Sequence, residues 1–294
     1  MTPLRQRFLD ELTRRNYSPR TLQAYLAGLI RFSRHFQRSP DQLGADQIRS
    51  FQLHLIQHDQ VSWSAFNQIV CALRFFYRHV LQQPDLVASI PYGKKPQTLP
   101  TILSIAQVQL FLDAFAFPPA RMLFRTIYAC GLRISEAIAL RVADIDSGRR
   151  LVHIRQGKGR KDRLLPLSAL LLSELRLYWQ RYRPQTLLFP GQRADGTLCP
   201  GTLQKHCTKA ARRAGLTVRV TPHTLRHCYA THLLEAGVDL ATLQRLLGHN
   251  QLSTTLRYLH LRSEHLAQLP GLLEGLQPRA GEARHGPSNP FAVG

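Results

Sequence analysis

The stretch IPYGKKPQTLPTI, residues 90–102, packs three prolines, a glycine and two lysines into one short run. Proline removes a backbone donor and pushes the residue before it out of helical space, so neither helix nor paired strand runs through such a segment. It reads as an extended linker. The chain is thereby divided into two parts, each of which has to bury a core of its own.

The part before it, residues 1–89, is helical in pattern. Ser18 followed by Pro19 forms an N-cap with proline at the first helical position. Behind them Leu22, Tyr25, Leu26, Leu29 and Phe36 recur at helical spacing, and two more periodic runs follow near 46–58 and 62–82. Together these predict a small bundle of about four helices. After the linker, Ser104 and Gln107 make a capping box ahead of Val108, Phe111, Leu112 and Phe115. LVHIR (151–155) and LLPL (164–167) flank QGKGRKDR, a glycine-bearing basic turn, and read as a β-hairpin. Thr221-Pro222 opens a helix that Gly237 closes, and Asp239 opens another that Gly248 closes. Ser253 to Thr255 would cap a last helix carrying Tyr258. The expected fold is mainly α with a small β-sheet, an α+β chain without internal repeats. Its parts are a helical domain over 1–89, a linker over 90–102, a second domain over 103–270 and a Gly-, Pro-, Ala- and Arg-rich tail over 271–294 expected to fray.

Charge narrows the partner. Lys and Arg number 39 against 18 Asp and Glu, a formal net charge of +21. The first 98 residues hold 13 basic and 6 acidic side chains and the rest 26 and 12, so the excess is not one basic tail. Two basic folded halves suit two surfaces that meet a polyanion, and nucleic acid is the usual one. The plainer reading is solubility or an arginine-rich composition. Five scattered cysteines without a CxxC pair argue against a disulfide framework and for a reducing compartment. The first residues carry charges throughout, and no segment nears about 18 uninterrupted apolar residues, so no membrane partner is expected.

A DNA phosphodiester poses three chemical tasks: gathering negative charge on phosphorus, supplying a nucleophile, and protonating a leaving alkoxide. Arginine suits the first, because its planar fork donates two hydrogen bonds to phosphate oxygens and stays charged. A tyrosine hydroxyl suits the second, leaving a covalent intermediate that conserves bond energy. Lysine or histidine moves protons. The sequence offers Arg133 in GLRISE, Lys158 at the tip of the predicted hairpin, His223 and Arg226 three apart in TPHTLRH, His249 after the Gly248 stop, and Tyr258 nine residues on. Around the turn Arg155, Arg160, Lys161 and Arg163, and on a predicted helix Lys205, Lys209, Arg212 and Arg213, are candidate phosphate binders. Some of these would be solvated charge only.

GLRISE, GKGRKDR, HTLRHCYATHLLEAGVDLATLQRLLGH and STTLRY resemble the signature blocks of the tyrosine recombinases, the phage-integrase and Xer-type enzymes. The resemblance covers roughly residues 100–265, and the N-terminal part is more loosely similar to that family's core-binding, SAM-like domain. It implies that Arg133 and Arg226 clamp the scissile phosphate, that Lys158 donates a proton to the leaving 5′ oxygen and that His223 assists proton transfer. His249 would hydrogen-bond the phosphate. Tyr258 would attack, giving a 3′-phosphotyrosyl link and a free 5′ hydroxyl with no cofactor, metal or nucleotide. It further implies a C-shaped clamp on double-stranded DNA, a homotetramer on two DNA sites, accessory DNA-bending proteins, a prokaryotic cytoplasm and nucleoid, and service to a mobile element. Leu266, Leu269, Leu272, Leu273 and Leu276 form a stripe that either packs on its own domain or docks on a neighbouring subunit. The resemblance would lead one to Thr and Phe where Cys228 and Tyr229 stand, and to a Ser-rich pair in place of Asn250-Gln251.

Blander readings stand beside these. Arg133 alone would be a salt-bridged arginine with Glu136 as partner, and Lys161 competes with Lys158. His223, His227, Cys228 and His232 invite a metal, although that leaves Arg226 unexplained and needs better-spaced ligands. Tyr128, Tyr178, Tyr182 and Tyr229 rival Tyr258. A type IB topoisomerase would share the chemistry without strand exchange, and a DNA-binding module that has lost catalysis would show a broken set.

Overall fold

The structure is a computed structural model that describes residues 2–94, 96, 100–155, 162–193, 195–249 and 255–256. It is mainly helical with one small sheet, and falls into two compact units, Met1–Thr98 and Leu99–Gly294.

In the first unit, α1 (Pro3–Arg14) and α2 (Pro19–Phe36) each begin with proline behind a hydroxyl cap, Thr2 and Ser18. The Ser18 Oγ accepts from the Thr21 amide at 3.2 Å, as the Ser-Pro pair predicts. α3 (Ala45–Gln57) and α4 (Trp63–Phe75) complete the four-helix bundle. A π-helical turn, Phe76–Val80, extends α4, and a short α5 (Pro84–Ala88) follows; neither is legible in the periodicity. The core is aromatic: Phe8 meets Phe75 and Phe76 edge-on, and Phe32 lies 5.1 Å from Phe51 between ring centres. The start of the proline-bearing stretch is held by this unit. Ile90 is buried in its core. Gln52 donates to the Pro91 carbonyl at 3.2 Å, and the Asn67 side-chain amide pairs with both backbone groups of Gly93 at 2.9 and 2.8 Å.

The second unit opens with α6 (Ile105–Asp113), whose Ser104–Gln107 capping box forms as expected, then α7 (Pro118–Cys130) and α8 (Ile134–Ala139). Three antiparallel strands follow, β1 (Ile145–Asp146), β2 (Leu151–Ile154) and β3 (Arg163–Pro166). The hairpin register pairs His153 with Leu164 and Ile154 with Arg163. β1 was not foreseen; two residues are too few to carry a period. The remaining helices are α9 (Ala169–Tyr182), α10 (Pro200–Arg213), α11 (Pro222–Glu235) and α12 (Leu240–Leu247). α11 is the central helix, with Leu225, Cys228, Tyr229, Ala230 and Leu234 all buried. Thr221 caps it and Asp239 caps α12, where Oδ1 accepts from the Thr242 amide at 2.9 Å. Among the described residues no helix is long and apolar enough to cross a membrane.

Candidate active site

An arginine on a helix buried nearly all round is expensive unless its charge and donors are met, so Arg226, 4% exposed on α11, marks a built site. Its guanidinium donates to the Gly131 carbonyl at 2.6 Å and to the Leu247 carbonyl. Arg133 comes to the same place from the N-cap of α8, where its NH2 donates to the Gly248 carbonyl at 3.4 Å. Arg163 arrives from β3, and its Nε donates to the Leu246 carbonyl at 3.0 Å. Three successive carbonyls at the end of α12 are thus each met by a different arginine. Those carbonyls have no partner within the helix and carry the negative end of its dipole, so a cluster of cations is stable there.

One carboxylate ties the cluster together. Glu136, a turn beyond Arg133, accepts from the Arg133 amide at 2.9 Å and its NH1 at 2.7 Å. It also takes both arms of Arg163, at 2.9 and 2.8 Å. Burial by itself would raise the Glu136 pKa, but the hydrogen bonds and charges of Arg163 and then Arg133 outweigh it and hold the group at about 2. The salt bridge that would make Arg133 an ordinary structural arginine exists, and it is part of this larger constellation.

The loop before α8 explains how Arg133 and Arg226 meet. Gly131 ends α7 at φ +60°, and a Cβ there would fall 2.3 Å from the Tyr229 ring. Glycine is therefore required both by conformation and by contact. Gly131→Ala is expected to destabilise the protein by about 3 kcal/mol, combining the left-handed backbone cost with overpacking. A melting temperature within a degree of wild type would refute this reading of the turn.

The histidines lie around the arginines. His223 is exposed near the start of α11, beside Arg226 and Arg133. Its pKa is lowered, first by loss of hydration and then by the charges of Arg226 and Arg133, so it is neutral at neutral pH. His249 follows Gly248, which closes α12 at φ +60°. Its Nδ1 lies 2.9 Å from the Thr255 hydroxyl. His232 faces another way. Its Nε2 donates to the Leu103 carbonyl at 3.0 Å, which leaves Nδ1 to accept from the Tyr128 hydroxyl at 2.8 Å. Cys228 accepts from the Leu103 amide at 3.2 Å, so it is a packing residue that holds the start of this unit. Among the described residues no three His, Cys, Asp or Glu side chains are grouped to hold a metal ion.

Of the sequence candidates, Arg133, His223, Arg226 and His249 are brought together from three segments, the head of α8, α11 and the end of α12. Lys158, Arg160, Lys161 and Tyr258 lie outside the described residues, as does the leucine stripe from Leu266 to Leu276. Lys205, Lys209, Arg212 and Arg213 are exposed on α10, whose other side buries Leu203, Cys207, Ala210 and Ala211. Arg155 is half exposed and pairs with the buried Asp144 at 2.6 Å. Arg163, read from the sequence as a phosphate binder, is turned inward with only 10% of its side chain exposed. Strand alternation carried that signal, since Arg163 shares a face with Leu165, which is fully buried.

The phage integrase family matches residues 102–265, and the N-terminal SAM-like domain of phage integrases matches residues 4–85. Over 280 residues the chain is 43% identical to a Sinorhizobium fredii (strain NBRC 101917 / NGR234) protein that bears an integrase/recombinase name, y4qK, covering 95% of this chain and 91% of that one. It is 33% identical over 287 residues to tyrosine recombinase XerD of Shewanella oneidensis, covering 91% of this chain and 95% of that one. The fold is similar to that of a lambda integrase tetramer bound to a Holliday junction. There the TM-score is 0.71 at 17% identity, covering 87% of this chain and 76% of that one.

Proposed function

The chain belongs to the phage integrase family of tyrosine recombinases, and from that premise we propose that it cuts and rejoins duplex DNA at specific sites through a covalent bond to Tyr258. The observation that carries this reading is the convergence of Arg133, Arg226, His223 and His249 on the end of α12, from segments far apart in the chain. Arg133 and Arg226 hold the scissile phosphate and neutralise the charge that grows on its oxygens. The Tyr258 oxygen bonds to phosphorus as the bond to the 5′ oxygen breaks. The phenolic proton passes toward His223, which is neutral and so able to take it. Lys158 supplies a proton to the leaving oxygen, and His249 hydrogen-bonds the phosphate. The products are a 3′-phosphotyrosyl link and a free 5′ hydroxyl. Attack by a partner strand's hydroxyl reverses the step, and because the link keeps the bond energy the reading calls for no nucleotide and no metal.

Duplex DNA is the partner, with a homotetramer on two sites as the working assembly and accessory DNA-bending proteins admitted. The lambda integrase tetramer on a Holliday junction supports the assembly by fold alone. Service to a mobile element is the biology we favour, on the integrase/recombinase name of the Sinorhizobium relative. The test is covalent capture. Cells carrying candidate element DNA are lysed in denaturant, and DNA attached to the protein is sequenced. Adducts clustered at one short site, with the DNA on a peptide containing Tyr258, are expected. Adducts on another residue would overturn the assignment. Relaxation of any supercoiled plasmid without strand exchange would favour a type IB topoisomerase.

On this reading the exposed cations of α10 bind phosphates. Changing Lys205, Lys209, Arg212 and Arg213 together to Gln is expected to weaken binding to all sequences alike. The slope of log K against log salt should become shallower by about 3 to 4, close to one for each phosphate no longer neutralised. An unchanged slope would mean these four are only solvated.

A further inference from the structure

We propose that Arg163 is a positioning residue for strand cleavage: it saturates Glu136, and so keeps Arg226 off that carboxylate and available to the phosphate. The inference rests on the reading of Arg133 and Arg226 as the phosphate clamp. A carboxylate has about four acceptor sites, and here all four are filled. Oε1 takes Arg133 NH1 and Arg163 NH1, and Oε2 takes the Arg133 amide and Arg163 NH2. Arg226 NH1 stands 3.8 Å from Oε2, within electrostatic reach but beyond hydrogen-bond distance. Its NH1 and NH2 donate to the Gly131 and Leu247 carbonyls.

Remove Arg163, and two sites on a buried carboxylate fall empty beside a guanidinium 3.8 Å away. Two responses are open to the protein. Arg226 moves onto Glu136 and away from the phosphate, or Glu136 takes a proton and lets go of Arg133. Both damage the clamp without touching a DNA-contacting residue. Arg163 is also built in from two further sides. Its Nε holds the Leu246 carbonyl, and a Cβ on Gly248 would come within 3.1 Å of its Cδ. One guanidinium therefore sets the spacing between β3, the start of α8 and the turn that presents His249.

The groups facing Glu136 define its pH behaviour. Arg133 comes from the head of α8, Arg163 from β3 and Arg226 from α11, and the α12 carbonyl of Leu246 meets Arg163. The Cys130 thiol and the Tyr229 phenol, both pushed up to about 12 by burial, stay neutral through the range of interest. His223 titrates in wild type and variant alike. In the wild type Glu136 is held below its unfolded value, so its contribution to stability is present above that value and lost as pH falls toward about 2. Without Arg163 the burial that raises its pKa goes unopposed from that side.

Two measurements test this with the full-length protein and synthetic nicked duplexes of the site recovered by covalent capture. Arg163→Met is expected to bind the duplex within about threefold of wild type, yet form adduct about 100-fold more slowly, the scale of a misplaced catalytic group. Adding Glu136→Gln removes the charge that captures Arg226, so the double variant should cleave about 10-fold faster than Arg163→Met alone. Arg163→Lys, which keeps the charge but not the fork, should fall between. A double variant slower than either single one is the signature of plain structural damage and overturns the proposal, as does Arg163→Met cleaving at the wild-type rate. The second measurement needs no DNA. The gap in melting temperature between wild type and Arg163→Met should narrow as pH falls from 7 to 3, and vanish as a pH effect when both carry Glu136→Gln. A gap independent of pH overturns the control of Glu136 by Arg163. If wild type yields no adduct at all, the clamp reading fails, and this melting series still decides what Arg163 does to Glu136.

Discussion

Tyr258→Phe is expected to bind DNA as the wild type does and to form no covalent adduct, a loss of at least about 10³-fold, as for other deleted nucleophiles. The substitution removes one hydroxyl and keeps the ring, so folding and DNA contact should survive it. The strength of this expectation lies in what the rival tyrosines are doing. Tyr229 is buried against Gly131, and burial pushes its phenol up to about 12. Tyr128 donates its proton to His232, on the side of α11 that holds Leu103. Tyr178 and Tyr182 pack on each other at a tilt along α9, 4.9 Å between ring centres. Tyr229 and Tyr128 are thus engaged elsewhere, and Tyr178 and Tyr182 stand on α9, which supplies none of the groups described around Arg133 and Arg226. Adducts that persist in the Phe variant would therefore overturn more than one residue's role; they would move the cleavage site away from the end of α12.

The sequence made much of this readable where the signal is local. Thr221-Pro222, Asp239 and Gly248 mark the ends of α11 and α12 because caps and left-handed stops depend on a few adjacent residues. The hairpin followed from alternation on either side of a glycine-bearing turn. What stayed hidden depends on distant partners. Nothing near Gly248 says that Arg133, 115 residues away, and Arg163, 83 residues from Leu246, reach the carbonyls around it. Glu136 was visible as a local mate for Arg133, but its second and larger partner lies on a strand 27 residues on. Arg163 lies in a run of charge, which suggests solvent, while strand alternation turns it inward beside Leu165. The wide turn at Phe76–Val80 leaves the apolar spacing almost unchanged, so periodicity does not reveal it.

Arg226→Lys separates chemistry from folding more cleanly than deletion does, and it is the substitution we expect to cost most after Tyr258. Deleting the side chain would strand the Gly131 and Leu247 carbonyls in a buried site, at about 1–3 kcal/mol each, so lost activity would be confounded with lost fold. Lysine keeps the positive charge beside Glu136 and one donor for those carbonyls. It lacks the planar fork that meets two carbonyls and still presents donors to a phosphate. Cleavage should therefore fall about 10²–10³-fold, the range for removing one oriented donor from a developing oxyanion. Binding of the duplex should stay within about threefold, since most affinity comes from the many exposed cations. The loss should appear in the rate of adduct formation at saturating protein, not in the concentration needed to reach it. Should the lysine variant cleave within about fivefold of wild type, a bare positive charge would suffice, and the fork of Arg226 would have to be assigned to holding Gly131 and Leu247 together.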